Sequence, residues 1–259
     1  MLVRVALGER DPRYYDTTAP GGPVAHPLFP VCYEWPLAQA LRAKALDETI
    51  ARRGVHAFHT LVVHRPPHAG EGLRVSGRVV GVQRLRAGTL VVMRFATTDR
   101  SGVAVTTTDH GSIYRGVELN GDEIAMAPAE PAAPRPAADG VRWEEQVEIP
   151  LQMAHVYTEC ARIYNPIHTD AAVALAAGLP GIILHGTATL ALAVSRVLEA
   201  HLGGDPTRVR GVAVRFSGMV RLPSRLTVRS HAADATGICF DAVGADGAAV
   251  LTDGRVLRA

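Results

Sequence analysis

The sequence predicts an α+β protein built as two similar halves, each a curved antiparallel sheet around one central helix. Three observations predict this. A proline-rich, aperiodic stretch divides the chain near its middle, the two flanks share a faint repeat, and each passes from a helical region into β-rich sequence.

The dividing stretch, AMAPAEPAAPRPAADG at residues 125–140, is Ala/Pro-rich and reads as an extended linker. It separates a first half, residues 1–124, from a second, residues 141–259. In the first half DPRYYD (11–16) is followed by GGPVAHP (21–27). In the second, NPIHTD (165–170) is followed by PGIILHG (180–186). A polar-Pro-x-x-x-Asp packet thus precedes glycine, small apolar residues and histidine twice over, an internal repeat. Residues 55–63, 73–82, 89–97, 209–216, 225–230 and 246–257 read as strands: they are rich in Val, Leu and Thr and bounded by Gly, Pro and Asp.

The helical regions differ. TATLALAVSRVLEA, residues 187–200, is apolar nearly all round, which suits a helix enclosed by a sheet, and Gly203 and Gly204 stop it. In the first half Pro27, Pro30 and Pro36 are expected to break the matching helix, so that it starts only at Leu37. One helix wrapped by a sheet, occurring twice, describes a double hot-dog; joining the halves covers the sheet edge and face that each alone would expose.

A chain of 259 residues, 47% hydrophobic and 20% charged, has the balance of an ordinary globular protein. A formal charge of +2 gives no field for nucleic acid. Lys44 is the only lysine beside many arginines, a bias ascribed to coding composition. Cys32, Cys160 and Cys239 lie far apart and are expected to be buried free thiols in a reducing cytoplasm. The opening MLVRVALGERDP lacks a signal-like apolar core, and no apolar run is long enough to span a membrane. The expectation is a soluble, cytoplasmic protein.

The second packet carries the chemistry. PLQMAHVYTECARIY, residues 150–164, has the 3, 4, 7 apolar spacing of an amphipathic helix, and Pro166 is expected to end it at Asn165. Thr169 or Asp170 can cap the next short helix, which Gly178 closes. His168 is therefore held in a tight connection. Leu184, His185 and Gly186 stand before the apolar helix, where unpartnered N–H groups and the helix dipole favour negative charge. A base at His168 and an oxyanion donor at Gly186 N–H suit proton transfer beside a thioester carbonyl, with Asn165 as an orienting group. Ile163, Tyr164, Asp170, Leu184 and His185 complete the expected substrate-contacting set.

With NPIHTD followed by GIILHG, the chain resembles the MaoC-like dehydratase, or hydratase 2, family of hot-dog enzymes, most specifically over Tyr157–Leu190. HRPPHAGEGLRVSGRVV and VRFSGMVRLPSRLTVRS look like the family's strand-turn-strand segments in the two halves. The resemblance implies interconversion of a trans-2-enoyl thioester and an (R)-3-hydroxyacyl thioester. It implies no metal or redox cofactor, coenzyme A or carrier-protein phosphopantetheine being part of the substrate. It also implies a degenerate first half that shapes the acyl pocket, and a monomer or homodimer of double hot-dogs.

One position departs. The family pattern Asp-x-Asn-Pro-x-His has its acid where this chain has Ile163. Three readings follow. The acid comes from elsewhere, such as Glu159, Asp170, Asp11 or Tyr14; the reaction needs only a base and an oxyanion site; or the site binds acyl thioesters without catalysis, as a scaffolding subunit. A thioesterase is a further option on this fold. The histidines 56, 59, 64 and 68 do not read as a metal site, because His56 and His59 fall on opposite faces of a regular strand.

Overall fold

The computed structural model describes residues 6–127 and 140–258. Most of the 125–140 linker expected from composition lies outside the described residues. Strands β1 (Gly54–Val63), β2 (Leu73–Leu85), β3 (Gly88–Asp99) and β4 (Ala104–Arg115) come from the first half of the chain. From the second come β5 (Trp143–Ile149), β6 (Val209–Phe216), β7 (Ser224–Ala233), β8 (Gly237–Gly244) and β9 (Ala249–Arg258). They make one nine-stranded sheet in the order β2-β3-β4-β1-β6-β9-β8-β7-β5.

The two halves meet edge to edge. β1 pairs antiparallel with β6, Phe58 opposite Arg215 through Val62 opposite Gly211. At that seam the backbones crowd: a Cβ on Gly211 would stand 2.8 Å from the Leu61 carbonyl oxygen. Each half thus covers the other's exposed edge, and the double hot-dog expected from sequence is the fold observed.

Helix α1 (Pro30–Ala45) is longer than its sequence suggests, and α2 (Glu48–Ala51) follows it. The expected start at Leu37 is corrected by seven residues. Pro30 occupies the first helical position, where its missing N–H costs nothing, while Pro36 is accommodated inside the helix. Packing outweighs one lost backbone bond: Ala38 on the helix meets Met93 and Phe95 on β3, with Leu37 and Leu41 against them.

The second half adds α3 (Met153–Ala161), α4 (Ala171–Ala176) and α5 (Gly186–Leu202). α5 is buried almost all round, as its apolar circumference requires, and ends at Gly203 with φ 62°. Around it Leu190, Leu192, Val194 and Leu198 pack with Leu226, Ile238 and Val256 of the sheet into the main core. α3 stops earlier than Pro166 alone would force, because Arg162 turns left-handed at φ 56°. Cys32, Cys160 and Cys239 are unbridged but half-buried, not buried. Among the described residues no helix is long and apolar enough to cross a membrane.

Candidate active site

After Arg162, residues 163–165 form no regular element, Asn165 is extended, and Pro166–His168 forms one 3₁₀ turn. Ile163 turns inward at 3% exposure and Tyr164 outward at 56%. The turn then delivers His168 to a cavity of about 390 Å³ between the halves, lined also by Ile163, Asn165, Leu184, His185 and Gly186.

Two expected contacts are corrected. Tyr164 does not line the cavity, and its hydroxyl donates to Glu159 Oε2 at 3.3 Å. Asp170 does not line it either: its Oδ1 caps α4, accepting from Ala172 and Val173 N–H at 2.8 and 3.1 Å. The stand-in acids suggested by sequence fare alike. Glu159 faces out with Tyr164, Asp11 pairs with Arg13 at 2.7 Å, and Tyr14 is buried away from the cavity.

The two histidines are fixed by backbone oxygens. His168 Nδ1 lies 2.8 Å from the Ile183 carbonyl oxygen, which can only accept, so Nδ1 carries the proton and Nε2 the lone pair. Burial pulls its pKa down to about 4, leaving the imidazole neutral near pH 7. His185 Nε2 sits 3.3 Å from the Ile163 carbonyl oxygen and 3.1 Å from Thr158 Oγ1. The same reasoning protonates His185 Nε2, and its buried Nδ1 has no hydrogen-bond partner. Burial and the neighbouring His168 hold the His185 pKa far down.

Gly186 opens α5, and the side chain of its N-cap, His185, covers none of the first-turn N–H groups. A Cβ at Gly186 would meet the Phe216 ring at 3.2 Å, so glycine here lets an aromatic wall close on the helix start. Next to that wall is a group the sequence reading placed wrongly. A β-bulge between His56 and Phe58 shifts the register of β1 and brings His56 and His59 together. With His110 their ring nitrogens lie within 4.8 Å of one another. The His56 and His110 rings are parallel to 1° at 3.7 Å, and lone pairs in parallel planes do not converge on one ion. Arg42 Nη2 also stands 3.2 Å from His110 Nε2. The arrangement favours neutral stacked rings, and burial drives His56 and His110 well below the ordinary histidine pKa.

The first half contributes Val31, Glu34, Trp35, Ala38 and Arg42 from one face of α1 to the same cavity. Their helical spacing was the available signal, hidden by the assumption that Pro30 and Pro36 break the helix.

Comparison with known proteins gives each half a match. Residues 135–250 match the MaoC like domain, and residues 4–108 match the FAS1-like dehydratase domain region. The second half is a MaoC-like dehydratase domain. Over 85 residues, 32% of this chain and 29% of that protein, it is 39% identical to the enoyl-CoA hydratase ChsH3 of Mycobacterium tuberculosis. The peroxisomal multifunctional enzyme type 2 of Drosophila melanogaster is 31% identical over 152 residues, 57% of this chain and 25% of that protein. The chain therefore spans less than a third of the length of these two curated relatives.

Solved structures extend the likeness in fold to the whole chain. A MaoC-like dehydratase from Phytophthora capsici superposes with TM-score 0.86 at 22% identity, covering 100% of this chain and 90% of that one. Rv0216 of Mycobacterium tuberculosis, described as a double hotdog fold, gives 0.65 at 18% identity, covering 100% and 91%. The MaoC-like domain thus sits in a full double hot-dog.

Proposed function

We propose that the chain is a hydro-lyase that interconverts a 2-enoyl thioester and an (R)-3-hydroxyacyl thioester carried on coenzyme A or a carrier protein. The observation that supports it most is the pairing, in one cavity, of a neutral His168 whose Nε2 holds the lone pair with the Gly186 end of α5. The names of the relatives point the same way.

In the dehydration direction the thioester carbonyl lies at the first turn of α5, where N–H dipoles offset charge growing on its oxygen. His168 Nε2 removes the C2 proton, the C–H electrons form the C2–C3 double bond, and the C3 hydroxyl takes a proton from an acid of the site and leaves as water. The Ile183 carbonyl stabilises the imidazolium through Nδ1–H. Asn165, half-buried beside the base, orients the hydroxyl or the incoming water. The test follows the enoyl-thioester absorbance with wild type and His168→Ala over short, long and branched substrates. Turnover by wild type and its loss in the variant support the assignment. Equal and negligible rates throughout would sink it in favour of a binding subunit, and release of free thiol would identify a thioesterase.

A further inference from the structure

We propose that Glu34, on the central helix of the first half, is the acid of this site and does the work absent at Ile163. The proposal rests on the hydro-lyase reading and adds a catalytic residue to it.

Position is the first argument. Among the described residues, Glu34 is the only carboxyl side chain lining the cavity, which also takes in His168, Asn165 and Gly186. Two tie points show how α1 reaches the site. His26, just before α1, has Nε2 3.1 Å from Ser195 Oγ on α5. On α1 itself, Cys32 packs against the core that holds Tyr157, and Tyr157 donates to Thr187 Oγ1 at 3.2 Å. Both ties join the N-terminal part of α1 and the segment before it to α5, which opens at Gly186. Cys32 and Trp35, on either side of Glu34, pack against the core that holds Ile163, Leu184 and Ala188.

Chemistry is the second. Glu34 is 4% exposed, and its Oε1 accepts from Thr108 Oγ1 at 2.7 Å. That bond anchors one oxygen and leaves the other for a substrate. Burial raises its pKa to about 8 against the lowering effect of Thr108, so the carboxyl keeps its proton at neutral pH and can donate it. The other charged and titratable groups lining the cavity are Arg42 on its own helix, Arg52 and Arg115, His56, His59 and His110 on the sheet, and His168 and His185 from the second half.

The step balances without a co-reactant. Glu34 gives its proton to the C3 hydroxyl as the C3–O bond breaks, so water departs while His168 Nε2 holds the C2 proton. That proton then passes from His168 through water to the Glu34 carboxylate, restoring both groups. Hydration is the same path reversed.

The experiment compares full-chain wild type, Glu34→Gln, Glu34→Asp and His168→Ala in two assays. One measures turnover of a 3-hydroxyacyl thioester. The other measures deuterium exchange at C2 of a saturated acyl thioester, which has no hydroxyl to expel and needs only the base. The expectation for Glu34→Gln is a kcat lower by about 10²–10⁴-fold with KM little changed and exchange retained. Glu34→Asp should fall between, and His168→Ala should lose both activities. Turnover by Glu34→Gln within about threefold of wild type, or exchange and turnover lost in the same proportion in both Glu34 variants, overturns the assignment of Glu34. A wild type inactive on every thioester instead overturns the hydro-lyase reading beneath it.

Discussion

The imidazole rings of His168 and His185 stack 3.8 Å apart at an interplanar angle of 25°. Both rings are held by backbone oxygens from the other's segment. His168 Nδ1 engages Ile183, two residues before His185, and His185 Nε2 engages Ile163, five residues before His168. The stack therefore locks the loop that carries the base to the start of α5. Burial keeps both rings neutral, and the neighbouring His168 adds to the lowering at His185.

Roles follow from this division. His168 lines the cavity with its basic Nε2, whereas His185 braces it. His168→Ala is expected to cut kcat by about 10²–10⁴-fold, a loss out of proportion to its cost in stability. His185→Ala leaves a void beneath His168 and frees the Ile163 carbonyl, so it is expected to lower stability by about 1–3 kcal/mol and raise KM and lower kcat together. Steady-state kinetics beside a thermal melt separates the two. A His185→Ala protein as stable as wild type would remove the bracing role.

Gly186 makes a sharper steric prediction. A methyl there meets Phe216 Cε1 at 3.2 Å, and the ring is backed by His56 with centroids 4.4 Å apart. The ring cannot retreat freely, so Gly186→Ala is expected to shift the helix start and lower kcat by about tenfold or more. Adding Phe216→Leu should restore part of that loss. If the single variant matches wild type, Phe216 is not a fixed wall of the site.

The main architecture and part of the candidate site were legible in the residue pattern. The all-round apolar character of residues 187–200 announced α5, and NPIHTD with LHG announced the His168–Gly186 pairing. The rest was hidden for physical reasons. β4 was missed because its face is polar yet buried: Thr106, Thr108 and Asp109 are at most 1% exposed, Asp109 being paired with Arg94 at 2.6 Å. The His56–His59 contact depends on a bulge that simple alternation does not foresee. Glu34 was overlooked because two prolines argued against the helix that presents it, and only tertiary packing overrules them.

Buried titrating groups set an expected pH optimum of stability. Burial holds the folded pKa of His59 and His168 at about 4 and of His26 at about 3. An unfolded chain takes up protons at these residues below roughly 6.5, before the folded chain does. The stabilisation is therefore complete above ~6.5 and is lost as pH falls toward 4. Glu34 acts with the opposite sign. Its folded pKa of about 8 lies above the unfolded value, so its contribution is full below roughly 4.5 and lost as pH rises to 8. Urea midpoints measured across this range should peak near pH 6.5, and Glu34→Gln should flatten the alkaline side and steepen the fall between about pH 6.5 and 4.5, where the Glu34 and histidine slopes oppose each other. A wild-type midpoint that keeps rising to pH 9 would contradict the neutral, buried carboxyl.

Ile163 offers the converse test. Its side chain is 3% exposed and lines the cavity, while its carbonyl oxygen already positions His185. A carboxylate placed there would enter the site from the same loop as the base, instead of from the opposite half. In the wild-type background Ile163→Asp gains little, because Glu34 already supplies a proton, and it is expected to lose about 1–3 kcal/mol of stability through burial of a polar group. In the Glu34→Gln background the same change should raise kcat at least about tenfold over Glu34→Gln alone, since the cavity regains one acid beside His168. Kinetics and urea melts of the two single variants and the double variant check both statements. If the double variant folds and turns over no faster than Glu34→Gln, the site has no use for an acid in the loop, and the two positions do not exchange roles.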